Sequence, residues 1–253
     1  MDAEVTRVAQ WVAEANEITV LTGAGLSTES GIPDFRGPQG LWTTDPNVAS
    51  LFEIDRYVAD PEARRQVWQL RRENPAWSAE PNAAHRALRE VELRGQLRAI
   101  VTQNIDGLHQ RAGSEHVVEV HGTMHRVVCL SCERRRPAVE VLARLDTEPD
   151  PACVDCGGIQ KSDTISFGQR LRPEVMDEAV AAAQQCELFL AVGTSLSVQP
   201  VAGLCEVALE SGARLVIVNG QETPYDAVAA AVVRGPIGTI VPQLVSAEAT
   251  PPD

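Results

Sequence analysis

Short apolar runs alternate along this chain with longer stretches in which apolar residues recur every three to four positions. The short runs predict five buried strands, at 18–21, 97–102, 117–120, 188–192 and 214–218, and the segment 164–169 also has strand character. The helical spacing, together with capping residues, predicts helices over 2–15, 61–73, 81–95, 173–185 and 201–211. Strands that alternate with helices in this way predict an α/β fold built on a doubly wound parallel sheet.

A glycine-rich segment follows the first strand and contains Gly23, Gly25, Asp34 and Arg36. A strand that ends in Gly-x-Gly before a helix presents backbone N–H groups to a phosphate, because glycine lets the backbone approach closely. The third glycine of a dehydrogenase fingerprint is replaced by Thr28, so the segment predicts a nucleotide loop of another kind. A tight turn would explain the glycines alone, but it would not explain the two charges.

Two further strands end in polar groups, and ligands of doubly wound sheets bind at such carboxyl ends. The strand at 97–102 runs into Gln103-Asn104-Ile105-Asp106, and the strand at 117–120 ends at His121. An Asx-rich turn is the alternative interpretation of the tetrapeptide, and a lone histidine at a strand end is usually structural. With an ordinary pKa near 6.5, however, His121 can take a proton from a hydroxyl at cellular pH.

Four of the six cysteines form two Cys-x-x-Cys pairs separated by the 20 residues 133–152. This spacing is typical of a Cys₄ zinc site, and four thiolate ligands leave no open position, so the predicted zinc is structural. The predicted ligands are Cys129, Cys132, Cys153 and Cys156. Two disulfides are the alternative, which the lack of a secretion signal disfavours.

Composition narrows the class of protein further. Hydrophobic residues make up 44% and charged residues 23% of the chain, a globular balance, and the net charge is −13. This charge argues against nucleic-acid binding and favours basic partners. We see no signal peptide and no apolar run that could span a membrane, and we expect a protein of the cytoplasm that works as a monomer.

The motifs together resemble those of the sirtuins, a family of NAD-dependent protein lysine deacylases. Gly23 to Arg36 carries the family's Gly-Ala-Gly-x-Ser and Ser-Gly-Ile-Pro-Asp-Phe-Arg, 103–106 its Gln-Asn-Ile-Asp, and 193–200 its Gly-Thr-Ser-Leu-x-Val-x-Pro. The resemblance covers about residues 18 to 244. It implies a Rossmann-like domain formed by 1–37, 81–125 and 163–253, a cofactor loop and helical module at 38–80, and a zinc module at 126–162.

The resemblance also implies the chemistry and the residues that perform it. The acyl oxygen of an acyl-lysine protein attacks the nicotinamide ribose of NAD, nicotinamide leaves, and His121 then deprotonates a ribose hydroxyl. Free lysine and O-acyl-ADP-ribose are the other products, and Asn104 is the second catalytic residue. The implied cofactor-binding residues are Gly23, Ala24, Gly25, Ser27, Asp34, Phe35, Arg36, Trp42, Gln103, Asn104, Ile105, Asp106, Gly193, Thr194, Ser195, Asn219, Gly220 and Ile237. The implied substrate-contacting residues are Phe35, Ile165, Phe167, Gly168, Val198, Trp68 and Arg71.

Acyl preference follows from the resemblance only in part. Sirtuins that remove dicarboxylic acyl groups carry Tyr-x-x-Arg in the helical module, where this chain has Trp68 and Arg71. Arg71 keeps the cation, but Trp68 lacks the phenolic hydroxyl, so we expect a deacetylase with at most modest desuccinylase activity. Gln169 stands where the family's Phe-Gly-Glu has glutamate. This change removes a charge at the edge of the implied peptide-binding segment and affects peptide preference. The alternatives are mono-ADP-ribosylation of proteins and a silent sensor, which would need no base.

Overall fold

A computed structural model describes residues 3–34, 37, 40 and 50–246 of the chain. The described helices are α1 (Ala3–Glu14), α2 (Ile54–Ala59), α3 (Pro61–Arg72), α4 (Ala83–Leu93), α5 (Leu108–Arg111), α6 (Ala138–Leu142), α7 (Pro173–Gln184), α8 (Leu204–Glu210) and α9 (Ile237–Val245). The strands are β1 (Ile18–Thr22), β2 (Leu97–Thr102), β3 (Val117–Glu119), β4 (Gly122–Cys129), β5 (Arg135–Pro137), β6 (Gln160–Thr164), β7 (Leu188–Val192), β8 (Arg214–Val218) and β9 (Ala231–Val233). Short 3₁₀ helices cover Ala24–Ser30, Pro75–Trp77 and Val201–Gly203.

The larger sheet is parallel and has the strand order β3-β2-β1-β7-β8-β9. Thr22, the last residue of β1, is paired with Thr102 of β2 and with Val192 of β7. The polar segments that follow these three strands therefore begin at one level on the same edge of the sheet. The prediction of a doubly wound, Rossmann-like sheet is confirmed.

Helices cover both faces of this sheet and bury two apolar cores. On one face α1, α4 and α9 contribute residues such as Val8, Leu88 and Val241. On the other, α7 and α8 pack small residues, including Ala183 and Cys205, against Phe189 and its neighbours. Burial of this much apolar surface is the main force that holds the sheet in place, and so fixes the positions of the strand ends.

The smaller sheet is antiparallel, with the order β5-β4-β6, and carries the cysteine pairs at one end. Its core contains Val127, Val141 and Leu145, and Trp68 of α3 completes this core. A helix of the segment 38–80 and the segment 126–162 thus share one apolar cluster. The domain boundaries proposed above stay a prediction.

The structure has one predicted strand at a shifted position and several elements that were not predicted, among them α2, β4, β9 and α9. The predicted strand over 164–169 lies earlier, at Gln160–Thr164, where five polar residues are all buried. Hydrogen bonds satisfy them: Gln160, for example, donates to the carbonyl oxygen of Pro151 at 3.0 Å. Strand β9 and helix α9 were not predicted, because β9 has only three residues and α9 contains Pro242.

Candidate active site

Two loops meet backbone to backbone at the edge of the sheet, just beyond β1 and β7. A Cβ added to Gly23 would lie 2.7 Å from the carbonyl oxygen of Gly193, and one added to Gly25 would lie 2.9 Å from the same atom. Gly193 itself has φ +63°, a conformation that glycine adopts without strain. Only glycines allow this approach, and the resulting cradle of backbone fits a pyrophosphate, as NAD requires.

Asn104 ties the loop after β2 to the glycine loop. Its Nδ2 donates to the carbonyl oxygen of Gly23 and to Oγ of Ser27, both at 3.1 Å, and Ser27 donates to Oδ2 of Asp106 at 2.8 Å. Burial raises the pKa of Asp106, and hydrogen bonds from Leu108 N–H and Ser27 oppose that rise. The three predicted cofactor residues therefore form one connected, buried network.

Gln103 connects the loop after β7 with His121. Its Nε2 donates to Oγ1 of Thr194 at 2.8 Å, while its carbonyl oxygen lies 3.1 Å from Nδ1 of His121. Because a carbonyl only accepts, Nδ1 of His121 carries the proton and Nε2 is left as the basic atom. Burial lowers the pKa of His121 below its ordinary value, against the effect of this hydrogen bond, so the ring is neutral at neutral pH.

The remaining predicted cofactor residues are arranged around this centre. Asp34 accepts from the backbone N–H of Gly37 at 3.0 Å. Ser195 Oγ lies 2.8 Å from Ser197 Oγ, and Asn219 donates to the carbonyl oxygen of Gln221 at 2.9 Å. Ala24 opens the first 3₁₀ helix, Ile105 lies in the tetrapeptide, Gly220 follows β8, and Ile237 is buried at the start of α9. Phe35, Arg36 and Trp42 lie outside the described residues.

An extended segment beside the histidine carries the predicted peptide contacts. Ile165 N–H donates to the carbonyl oxygen of His121 at 2.8 Å, and Phe167 N–H donates to that of Phe52 at 2.9 Å. Phe167 is 42% exposed, which is unusual for phenylalanine. Gly168 follows with φ +80°, and Val198 is half-buried on the loop after β7. Their roles toward a substrate stay predictions.

Trp68 and Arg71 face different surroundings. Trp68 is 1% exposed, packs into the core of the smaller sheet, and its Nε1 has no hydrogen-bond partner among the described residues. Arg71 lines a small pocket with Tyr57, Lys161 and Thr164, and donates to Thr164 Oγ1 at 3.3 Å. The structure therefore does not bring the two residues to one common contact.

Lys161 was not anticipated, although it is the only lysine in the sequence. It is buried, and its ammonium donates to the carbonyl oxygens of Ser162 and Thr164. Burial and the charge of Arg71 lower its pKa to about 7, and burial lowers the pKa of Arg71 to about 10. Two cationic side chains thus share a pocket in which no described lining residue is a carboxylate.

The four cysteines of the two pairs converge as predicted. Their Sγ atoms all lie within 4.8 Å of one another, and Cys129 and Cys156, like Cys132 and Cys153, are in sulfur–sulfur contact at 3.5 and 3.8 Å. None of them is in a disulfide. A set of four thiols at this spacing fits one tetrahedral zinc ion with no open position.

No helix among the described residues is long and apolar enough to cross a membrane.

Comparison with known proteins gives the class. The Sir2 family model matches residues 23–200, and the chain belongs to that family. It is 52% identical over 230 residues to NAD-dependent protein deacetylase 2 of Streptomyces coelicolor, covering 90% of this chain and 95% of the relative. It is 44% identical over 246 residues to the NAD-dependent protein deacetylase of Haloarcula marismortui, covering 94% and 92%.

Solved structures of the family are also similar to this chain. One described as the basis for the mechanism and regulation of Sir2 enzymes superimposes with a TM-score of 0.88 at 38% identity, covering 97% of both chains. A Sir2 structure with a p53 peptide and NAD⁺ superimposes with a TM-score of 0.84 at 35% identity, covering 95% of both.

Proposed function

We propose that this protein removes acyl groups, acetyl above all, from lysine side chains of proteins in a reaction that consumes NAD. The observation that carries this proposal is the placement of His121 and Asn104. Gln103 orients the imidazole, and Asn104 is bonded to the glycine cradle in the same buried network. The activities named for the Streptomyces and Haloarcula relatives support it.

Each part of the site has a role in this reaction. Bound NAD supplies the ribose carbon to which the acyl oxygen is transferred as nicotinamide leaves. Gly23, Gly25 and Gly193 admit its pyrophosphate, and Asn104 and Asp106 orient the ribose and the carboxamide. His121 would take a proton from a ribose hydroxyl at Nε2, so that this oxygen can bond to the acyl carbon, and one water molecule is consumed as the lysine amine is released. The closely packed loops would keep other water molecules away from the ribose carbon.

The acyl-lysine substrate is a protein segment that binds beside the extended segment after β6. The backbone of Phe167 in this segment pairs with residues 52–54 on one side. The other side of such a segment is a template for pairing with a second chain. The acyl-lysine would enter between Ile165, Phe167 and Val198 toward His121. A net charge of −13 favours basic protein partners over nucleic acid.

The test is incubation of the protein with NAD and an acetyl-lysine peptide. Nicotinamide, deacetylated peptide and O-acetyl-ADP-ribose are expected in equal amounts. His121→Ala should lose turnover, whereas His116→Gln, which alters a histidine outside the site, should keep it. No turnover by the wild type on any acyl-lysine peptide would defeat the proposal.

Two other activities use the same site. Mono-ADP-ribosylation breaks the same glycosidic bond of NAD, and mass spectrometry of acceptor proteins after reaction would detect the added group. Desuccinylation is favoured by one observation, the pair of cations Arg71 and Lys161 in one pocket. A silent sensor is disfavoured, because a sensor has no need of the oriented base His121.

We further infer a cytoplasmic monomer. Six cysteines without a disulfide, four of them gathered in one cluster, fit a reducing compartment. Size-exclusion chromatography with light scattering should give about 27.3 kDa, and a larger mass would contradict the monomer.

A further inference from the structure

Two buried histidines lie beneath the strand ends and have no part in the reaction as described. His85, on α4, is 0% exposed, and His109, on α5, is 1% exposed. Their ring centroids are 4.9 Å apart. Because burying an imidazole is costly unless its nitrogens are bonded, their hydrogen bonds indicate what they hold.

His109 holds the ends of two strands. Its Nε2 lies 3.1 Å from Oγ1 of Thr22, which donates to Oγ1 of Thr102 at 2.8 Å. Thr102 Oγ1 also accepts from the backbone N–H of Asn104 at 3.1 Å. Since the single hydroxyl hydrogen of Thr22 goes to Thr102, His109 must donate from Nε2. Its Nδ1 is then an acceptor, and it is buried without a partner among the described residues.

His85 is connected to the other end of the glycine loop through Asn82. The side chain of Asn82 caps α4 through Oδ1 and donates from Nδ2 to the carbonyl oxygen of Leu26 at 2.8 Å. The backbone N–H of Asn82 donates to Nδ1 of His85 at 3.3 Å. Nδ1 of His85 also lies 3.0 Å from Oδ1 of Asn82, so Asn82 holds the ring at Nδ1 whichever nitrogen carries the proton. Nε2 of His85 is buried and has no partner in the described part of the chain.

We propose that Asn82, His85, His109 and Thr22 form a polar brace beneath the loop from Thr22 to Leu26, and that His109 is a positioning residue for NAD. The brace contacts both ends of this loop, and its two rings lie against each other. Through Thr22 and Thr102 it also fixes the backbone of Asn104. That the positioned ligand is NAD rests on the proposed function.

The charge state of the two rings supports the brace. Burial, followed by the charge of Arg86, lowers the pKa of His85 to about 4. Burial and His85 lower the pKa of His109 well below its ordinary value. Both rings are therefore neutral, whereas two charged rings at this distance would repel each other.

Thr22→Val tests the brace against a matched control on the same strand. It removes the hydroxyl that joins His109 to Thr102 while conserving shape. Thr19→Val removes a buried hydroxyl of β1 that donates to Ala182 at 2.8 Å, away from the loop. Both variants should lose similar stability. We expect Thr22→Val alone to raise the KM for NAD about five- to tenfold, because a small displacement of an aligned loop costs binding and rate, with the KM for the peptide unchanged.

His109→Phe should behave like Thr22→Val, and His109→Gln, which keeps an N–H donor, should recover most of the NAD affinity. Nitrogen NMR of ¹⁵N-histidine protein should find both rings neutral and His109 protonated at Nε2. An equal KM for NAD in Thr22→Val and Thr19→Val would overturn the brace. So would a charged ring of either histidine, or a His109 protonated at Nδ1, whatever the activity. A wild type that turns over no acyl peptide defeats the proposed function instead.

Discussion

Nδ1 of His121 lies 3.1 Å from the carbonyl oxygen of Gln103, and this contact decides which nitrogen can act as a base. The carbonyl belongs to the same residue whose side chain donates to Thr194 at 2.8 Å. A single residue therefore orients the base and joins the loops after β2 and β7. A shift of one loop would be transmitted to the base and to the nucleotide cradle together.

The pH dependence of turnover should report the ionisation of His121. Burial lowers its pKa below 6.5, and only the neutral ring can take a proton. As the pH falls through the lowered pKa the base becomes protonated and activity is lost, whereas above it activity is level. The acid limb of kcat/KM on an acetyl-lysine peptide should therefore have its midpoint below 6.5.

His121→Ala should reduce kcat by at least about 100-fold and remove the acid limb, while His116→Gln should leave both unchanged. A midpoint above 6.5, or full turnover by the alanine variant, would show that another group is the base.

Zinc should be required for folding and not for chemistry. Cys153→Ala removes one of four thiolates that lie within 4.8 Å of one another. The variant should lose bound zinc, cooperative unfolding and turnover together. The reason is that the free energy of binding a structural zinc ion contributes directly to the free energy of folding. The control is Cys205→Ala, which opens a small cavity in the core of the parallel sheet and should retain one zinc per chain by metal analysis. A Cys153→Ala protein that stays folded with zinc but is inactive would contradict the structural assignment.

Local sequence patterns were sufficient to predict the strand ends at which the site is built. The runs at 97–102, 188–192 and 214–218 coincide with β2, β7 and β8, because a buried parallel strand is apolar throughout and has turn residues at its ends. The zinc site could also be predicted directly from the spacing of the two Cys-x-x-Cys pairs, because the fold had only to bring these two pairs together.

Contacts between distant residues could not be predicted in this way. Strand β6 is buried although all its residues are polar, and its partners, such as Arg135 and Arg172 on Asp163, come from other elements. His109 follows Asp106 closely in sequence, yet its contact with Thr22 spans 87 residues. One signal in the sequence could have drawn attention to Lys161, namely that it is the only lysine in the chain.

Glu92 should make the protein sensitive to acid. Burial alone raises its pKa, but hydrogen bonds from Arg89, His116 and the backbone N–H groups of residues 115 and 116 outweigh this and lower it to about 2. A depressed carboxyl pKa contributes stability that is present above the unfolded value of 4.5 and is lost as the pH falls toward 2. At one pKa unit per 1.4 kcal/mol, the contribution is at most about 3 kcal/mol.

Urea unfolding of the wild type and Glu92→Gln at pH 7 and pH 3 tests this contribution. The variant should be less stable at pH 7, by a margin that narrows at pH 3. Glu115→Gln is the control, since that carboxylate is exposed and 3.4 Å from Arg89. A margin that stays the same at both pH values would show that Glu92 acts through packing.

The last prediction concerns the acyl group, for which Arg71 and Trp68 are the residues in question. Nε of Arg71 has no hydrogen-bond partner among the described residues, and the guanidinium lies 5.4 Å from the ring of Phe52 in the pocket shared with Lys161. A cation is therefore available for a distal carboxylate. Trp68 is turned into the core of the smaller sheet and offers that carboxylate no hydrogen bond.

We therefore expect a higher kcat/KM on an acetyl-lysine peptide than on its succinyl form. Arg71→Met should lower the residual succinyl activity about tenfold, equivalent to about 1.4 kcal/mol, with little effect on acetyl. Arg72→Met, which alters the exposed neighbour paired with Asp146, should change neither. A wild type that prefers succinyl, with a preference that collapses only in Arg71→Met, would overturn the assignment as a deacetylase and make Arg71 the residue that selects the acyl group.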